Sequence, residues 1–235
     1  MKRWGMVIDL KKCTGCQTCT LSCKVFHGLG PGVTRCRVVE HEVGVFPNVE
    51  RMLFSLRCMH CDEPECMKAC PTGATQKRAD GIVTVDQNLC MGCRYCSLVC
   101  PYQARTFLGV EKRYFPEDDN LWERLRYDEH QVGTVEKCDF CQKRIDDGMA
   151  KGLEPGRDPE ASPMCSIACI GKAIHFGDLN DPESPVSRLI KERNGYALKA
   201  ELGTKPSVYY LPRRTRHDQR TEKHAVVSAG VDRKG

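Results

Sequence analysis

The chain has 235 residues, enough for one or two domains, yet only 40% are hydrophobic and 7% aromatic against 29% charged. Something besides apolar burial must hold it together, and 17 cysteines are the obvious candidates. No run of 18 apolar residues occurs, so no direct membrane span is expected, and Trp4-Gly5-Met6-Val7-Ile8-Asp9 after the basic start lacks the apolar stretch of a signal peptide.

In chain order, Trp4–Asp9 reads as a short strand entering the first cysteine group, Cys13-x2-Cys16-x2-Cys19-x3-Cys23. The helix through it is expected to stop by Lys24. The second group is Cys58-x2-Cys61-x4-Cys66-x3-Cys70, where Pro71 ends the helical turn. A strand over Gly81–Asp86 leads to the third group, Cys90-x2-Cys93-x2-Cys96-x3-Cys100, closed by Pro101. Residues 109–135 are polar and read as a surface insertion. The fourth group is split: Cys138-x2-Cys141, then 23 residues, then Cys165-x3-Cys169, with a second polar insertion over 142–164. Ile174–Asp178 reads as a closing strand. A helix follows, with Ser184 as N-cap, Pro185 at its first position, Val186, Leu189 and Ile190 on one face, and Asn194-Gly195 as its stop. The basic tail 212–235 has the composition of a segment that orders only against a partner. Only Cys36 stands outside the four groups.

Three chemistries use cysteine in this way. Disulfides fail first, because the count is odd, the runs are too crowded for bridge geometry, and no secretory signal supplies oxidising conditions. Structural zinc draws four tetrahedral ligands from two separated pairs. A C-x2-C-x2-C triplet instead presents three thiolates from one loop, and the fourth, after x3, is carried off on a helix toward a different cluster. This is the bacterial ferredoxin run C-x2-C-x2-C-x3-C-P. The third group matches it fully, the first has Lys24 in place of the proline, and the second widens one gap. The spacing therefore points to four [4Fe-4S] clusters, with a zinc-stabilised interaction module as the weaker alternative.

The pattern repeats. Asp9-x3-Cys13-x-Gly15-Cys16-x2-Cys19-x-Leu21-x-Cys23 returns at Asp86-x3-Cys90-x-Gly92-Cys93-x2-Cys96-x-Leu98-x-Cys100, and Cys58-Met59-His60-Cys61 answers Cys138-Asp139-Phe140-Cys141. The fold class expected is α+β: two duplicated bacterial-ferredoxin-like dicluster units with long polar insertions. Gly15 and Gly92 are expected where the loop approaches inorganic sulfide.

The formal charge of +5 counts every cysteine as a neutral thiol. Four oxidised cubanes at about −2 each bring the loaded chain to about −3, so the basic residues (Lys11, Lys12, Lys24, Arg57, Lys68, Arg94, Lys137, Lys143 and Arg144) offset cluster charge. A nucleic-acid partner loses its main support, and no stacking platform replaces it. No nucleotide-binding glycine loop, haem motif or Ser-His-Asp set is present, and sixteen cysteines leave no iron vacant for substrate. His60 is expected to pack or to hydrogen-bond a cluster sulfur, Cys36 to be a small buried hydrophobe, and Tyr95, Tyr102, Phe107 and Phe140 to shield the clusters. One-electron centres without a substrate site make a conductor.

The order of the groups, with Cys66-Met67-Lys68-Ala69-Cys70-Pro71-Thr72-Gly73-Ala74, Cys93-x2-Cys96-x3-Cys100-Pro101-Tyr102 and Phe176-Gly177-Asp178-Leu179-Asn180-Asp181-Pro182, resembles the four-cluster iron–sulfur subunit of the DMSO reductase family of molybdenum or tungsten oxidoreductases, over roughly residues 3–211. The resemblance implies ligand sets of Cys13, Cys16, Cys19 with Cys169; Cys138, Cys141, Cys165 with Cys23; Cys58, Cys61, Cys66 with Cys100; and Cys90, Cys93, Cys96 with Cys70. It implies one unit over 1–50 plus 130–211 holding the first and fourth groups, and a second over 51–108 holding the other two. It also implies a non-catalytic relay between a large bis-pterin Mo/W catalytic subunit and a membrane-anchor, quinone-interacting subunit, hence association with the cytoplasmic membrane through partners. A free-standing soluble polyferredoxin is the alternative. Two features depart from the family pattern: the 23-residue gap inside the fourth group, and Ile170 where a proline follows Cys169.

Overall fold

The computed structural model describes residues 1–117, 120–127 and 130–213. From residue 214 onward the basic tail, and its expected docking on a partner, lie outside the described residues. The elements are β1 (Trp4–Asp9), α1 (Thr18–His27), β2 (Cys36–Val45), β3 (Asn48–Arg57), α2 (Glu65–Lys68), β4 (Thr75–Lys77), β5 (Val83–Val85) and α3 (Tyr95–Leu98). They continue with β6 (Thr106–Phe107), α4 (Leu121–Tyr127), β7 (Val135–Glu136), α5 (Gln142–Ala150), α6 (Met164–Ile167), β8 (Ile174–Asp178), α7 (Pro185–Glu192) and β9 (Val208–Leu211).

β1 is buried at all six positions because it is the middle strand of a three-stranded sheet covered on both faces. β8 pairs with it antiparallel (Trp4 opposite Asp178, Ile8 opposite Ile174) and β9 parallel (Met6 opposite Val208). Strand side chains alternate between faces. Trp4, Met6 and Ile8 enter the main core with Phe140, Phe176 and Tyr210, while Val7 points the other way to meet Val186 and Leu211 beneath α7. The expected cap is present: Ser184 Oγ accepts the Ser187 N–H at 3.2 Å, and the Gly195 N–H returns to the Ile190 carbonyl at 2.8 Å.

Two expectations about helix and segment boundaries are corrected. α1 runs on to His27, because Lys24 has the N–H and lacks the ring by which Pro71 and Pro101 stop α2 and α3 after one turn. Residues 142–164 are anchored in the core: α5 buries Ile145, and Gly148 lies so close to Ala161 that a Cβ would meet its Cβ at 2.4 Å. In 109–135, Glu123 is buried and accepts the N–H groups of Tyr114 and Phe115 at 2.6 and 3.2 Å.

The long hairpin of β2 and β3, paired from Cys36 opposite Arg57 to Val45 opposite Asn48, has no counterpart in the sequence expectations. The boundary expected between residues 50 and 51 falls inside β3 and is corrected accordingly: a hydrogen-bonded ladder crosses it. At its base the hairpin delivers Cys36, Ser55 and Arg57 into the core, next to Cys58. The short helices bring distant cysteine groups together, since α1 packs on α6 and α2 on α3. Among the described residues no helix is long and apolar enough to cross a membrane.

α7 packs on β1, β8 and β9, with Val186 against Val7 and Leu211, so Val186→Ala should cost about 2 to 3 kcal/mol by lost burial and a residual cavity, without loss of bound metal. Anaerobic thermal unfolding with metal analysis checks both halves.

Candidate metal centres

Each triplet loop turns through the same backbone shape. Gly15 and Gly92 have φ of 71° and 72°, and Gln17 and Arg94, which precede the helices, have φ of 61° and 62°. That left-handed conformation suits glycine, and the room is also taken: a Cβ at Gly92 would lie 2.1 Å from the Gly133 carbonyl oxygen, and one at Gly15 2.9 Å from Leu53 Cδ1. The requirement for glycine thus comes from dihedral angle and protein packing.

None of the 17 cysteines forms a disulfide. Cys13, Cys16, Cys19 and Cys169 line one cavity, Cys70, Cys90, Cys93 and Cys96 a second, and Cys58, Cys61, Cys66 and Cys100 a third. Cys23, Cys138, Cys141 and Cys165 gather in the interior. Burial pushes Cys23 and Cys141 up, and the sulfurs of Cys138 and Cys165 add to it. Burial likewise takes Cys61 and Cys138 up to about 12, so these sulfurs ionise only against a strong cationic partner such as iron.

Two arginines lie between the sets. Arg57 is 2% exposed; its Nη1 donates to Cys165 Sγ at 2.9 Å and to Met6 Sδ at 3.1 Å, its Nη2 donates to Ser55 Oγ, and its Nε has no partner. No carboxylate pairs with it among the described residues. Burial opposes its charge, and the sulfurs of Cys36, Cys165, Cys138 and Cys19 favour it. Arg105 donates to Cys66 Sγ at 2.8 Å and to Thr75 Oγ1 at 3.2 Å, and it lines both the Cys58 and the Cys70 cavities. A guanidinium keeps its proton, and buried without an acid it demands an anionic neighbour.

Anionic clusters meet that demand. The sulfur spacing agrees: among the described residues no three cysteine sulfurs lie within 4.8 Å of one another, whereas one zinc with bonds of ~2.3 Å holds its sulfurs about 3.8 Å apart. Sets of four cysteines offer the all-thiolate ligation that [4Fe-4S] clusters take.

Of the basic residues expected to offset charge, Arg57 contacts a sulfur, Lys137 is buried between the carbonyls of Val83 and Cys138, Arg94 stacks on Phe107 at 3.7 Å, and Lys24 is tied to the Gly30 and Val33 carbonyls. His60 is fully buried, accepts the Val83 N–H on Nδ1 at 3.0 Å and stacks on Phe140 at 3.7 Å. Cys36 is buried beside Ser55 Oγ, 3.6 Å away. Tyr102 and Phe140 are buried, while Tyr95 is exposed.

Sequence reasoning missed Arg105 and a polar network at the end of α1. There His27 Nε2 lies 3.3 Å from Cys141 Sγ, and Arg35 joins His27 Nδ1 at 3.1 Å, Glu136 at 3.1 Å and Asp139 at 3.4 Å. Burial and the Arg35 charge hold His27 down at about 4. Despite burial, His130 and Arg35 keep Glu136 at about 2. These residues come from segments about a hundred positions apart, which local spacing does not connect.

A family model described as "4Fe-4S dicluster domain" matches residues 49–112. A subunit of the selenate reductase of Mesobacillus selenatarsenatis is 44% identical over 223 residues, covering 89% of this chain and 72% of the relative. A subunit of the sulfite dehydrogenase of Allochromatium vinosum is 40% identical, covering 91% and 85%. The menaquinone reductase iron-sulfur cluster-binding subunit of Nitratidesulfovibrio vulgaris is 37% identical, covering 90% and 89%.

Arg57→Met retains most of the side-chain length and removes the charge. In an EPR-monitored redox titration it should lower the nearest potentials by roughly one to two decades in the reduction equilibrium, about 60 to 120 mV for a one-electron couple, with metal content unchanged.

Proposed function

The chain belongs to the iron–sulfur electron-transfer subunits of the DMSO reductase family, and from that premise we propose that it relays single electrons through four [4Fe-4S] clusters. In our reading Cys13, Cys16, Cys19 and Cys169 hold one cluster; Cys23, Cys138, Cys141 and Cys165 the second; Cys58, Cys61, Cys66 and Cys100 the third; and Cys70, Cys90, Cys93 and Cys96 the fourth. The observation that carries this is the gathering of the sixteen sulfurs into four sets with acid-free arginines between them. When bound, the clusters supply one-electron oxidation and reduction.

Everything else is the work of the chain. The triplet loops set three sulfurs from one turn, and the following helix sends the fourth to the neighbouring set. Packing of α1 on α6 and α2 on α3 supports two duplicated dicluster units, the first and fourth groups forming one and the second and third the other. Arg57 and Arg105 offset negative charge within each unit and favour the reduced state. Phe140, Tyr102 and His60 keep water from the interior sulfurs.

The relatives are named as parts of a selenate reductase, a sulfite dehydrogenase and a menaquinone reductase. By analogy the partners of this chain are a large bis-pterin Mo/W catalytic subunit and a membrane-anchor subunit that exchanges electrons with quinone, which would place it at the cytoplasmic membrane.

Crossed ligation gives a direct test. Cys23→Ser should alter the EPR signal of the cluster assigned to Cys138, Cys141 and Cys165, and Cys100→Ser that of the cluster assigned to Cys58, Cys61 and Cys66. If Cys23→Ser instead alters the cluster assigned to Cys13, Cys16 and Cys19, the crossed arrangement is wrong.

A further inference from the structure

Outside the cysteines, one histidine ring reaches the sulfur of Cys141 and has its proton position fixed by a neighbour. His27 is the last residue of α1, which extends this far because Lys24 replaces the proline found after the second and third groups. Its Nδ1 faces Arg35 Nη1 at 3.1 Å. Arginine has only donors, so Nδ1 must accept, and in a neutral imidazole the proton then sits on Nε2. That atom lies 3.3 Å from Cys141 Sγ. Arg35 is fixed in turn by Glu136 and Asp139, and Asp139 also accepts the Cys141 N–H at 2.8 Å.

We propose that His27 is a positioning residue that donates an Nε2–H···S hydrogen bond to Cys141 and thereby raises the reduction potential of the cluster this cysteine holds, with Arg35 selecting the required tautomer. The inference rests on the assignment of Cys141 to a cluster made above. Reduction adds negative charge that the thiolates share, so a donor to a thiolate stabilises the reduced state more than the oxidised one. The rival is a separate metal site, since the donor atoms of His27, Asp139 and Cys141 lie within 4.8 Å of one another. The guanidinium bonded to both His27 and Asp139 opposes a cation there.

The test uses the anaerobically purified, cluster-loaded full chain, with potentials read by EPR-monitored titration and metals by elemental analysis. His27→Phe removes the donor. It should lower one potential by about tenfold in the reduction equilibrium, about 59 mV for one electron, at unchanged iron content. His27→Gln, whose amide N–H reaches a similar position, should recover most of the loss, which a purely structural role would not do. Cys141→Ser, run alongside, must perturb the same signal. An unchanged potential in His27→Phe while Cys141→Ser alters its cluster overturns this inference alone. A different signal perturbed by Cys141→Ser overturns the ligand assignment and this inference with it. Loss of one metal equivalent in His27→Phe makes the residue a metal ligand and also overturns the proposal.

Discussion

A fully buried guanidinium with no carboxylate beside it is among the most costly groups a fold can contain, because it cannot shed its proton. Arg57 is such a group. Its partners are a thiol sulfur, a thioether sulfur and a hydroxyl, and its Nε has none. The fold around it makes sense once the surrounding sulfurs are thiolates on anionic clusters. The hairpin of β2 and β3 delivers the charge to the centre, the cysteine loops converge on it, and Arg105 repeats the arrangement between the other two sets. Protein and cofactor are thus electrostatically complementary, and neither half is favourable without the other. The same mutual dependence accounts for a modest apolar content in a chain of this length: the sulfurs occupy positions that hydrocarbon fills in other cores.

This arrangement suits conduction. Each triplet loop and its helix place cysteine sulfurs on short turns whose backbone angles recur at Gly15 and Gly92 and at Gln17 and Arg94. Several groups beside the sulfurs are held by second partners: Arg105 by Thr75, His27 by Arg35, and Arg57 by Ser55. Fixed donors need little rearrangement when an electron arrives, and they bias each centre by an amount set by geometry.

The grouping of the cysteines was legible in the sequence because it is set by spacing within single loops, and the structure brings those groups together across the chain. The strand through Trp4–Asp9, the closing strand at Ile174–Asp178 and the capped helix from Pro185 were legible for similar local reasons, in alternation and in end signals. The hairpin was not: its strands are mostly exposed or half-exposed and mix charged with apolar residues, so neither period stands out. Nor was the extent of α1: a helix expected to stop by Lys24 runs to His27 where no proline ends it. The His27, Arg35, Glu136 and Asp139 network depends on tertiary approach, to which spacing is blind. At Gly15 and Gly92 the structure adds a packing reason that spacing could not show, since Leu53 and the Gly133 carbonyl occupy the space a side chain would need.

The central claim is that anionic iron–sulfur cubanes, four to a chain, are the counter-charge on which this fold is built. Iron and acid-labile sulfide per chain, measured with zinc on anaerobically purified protein, test it most directly. The expected result is about 16 iron and about 16 sulfide, with loss of folded structure when iron is chelated. Two to four zinc atoms per chain with little sulfide, or a chain that stays folded after complete iron removal, would contradict it.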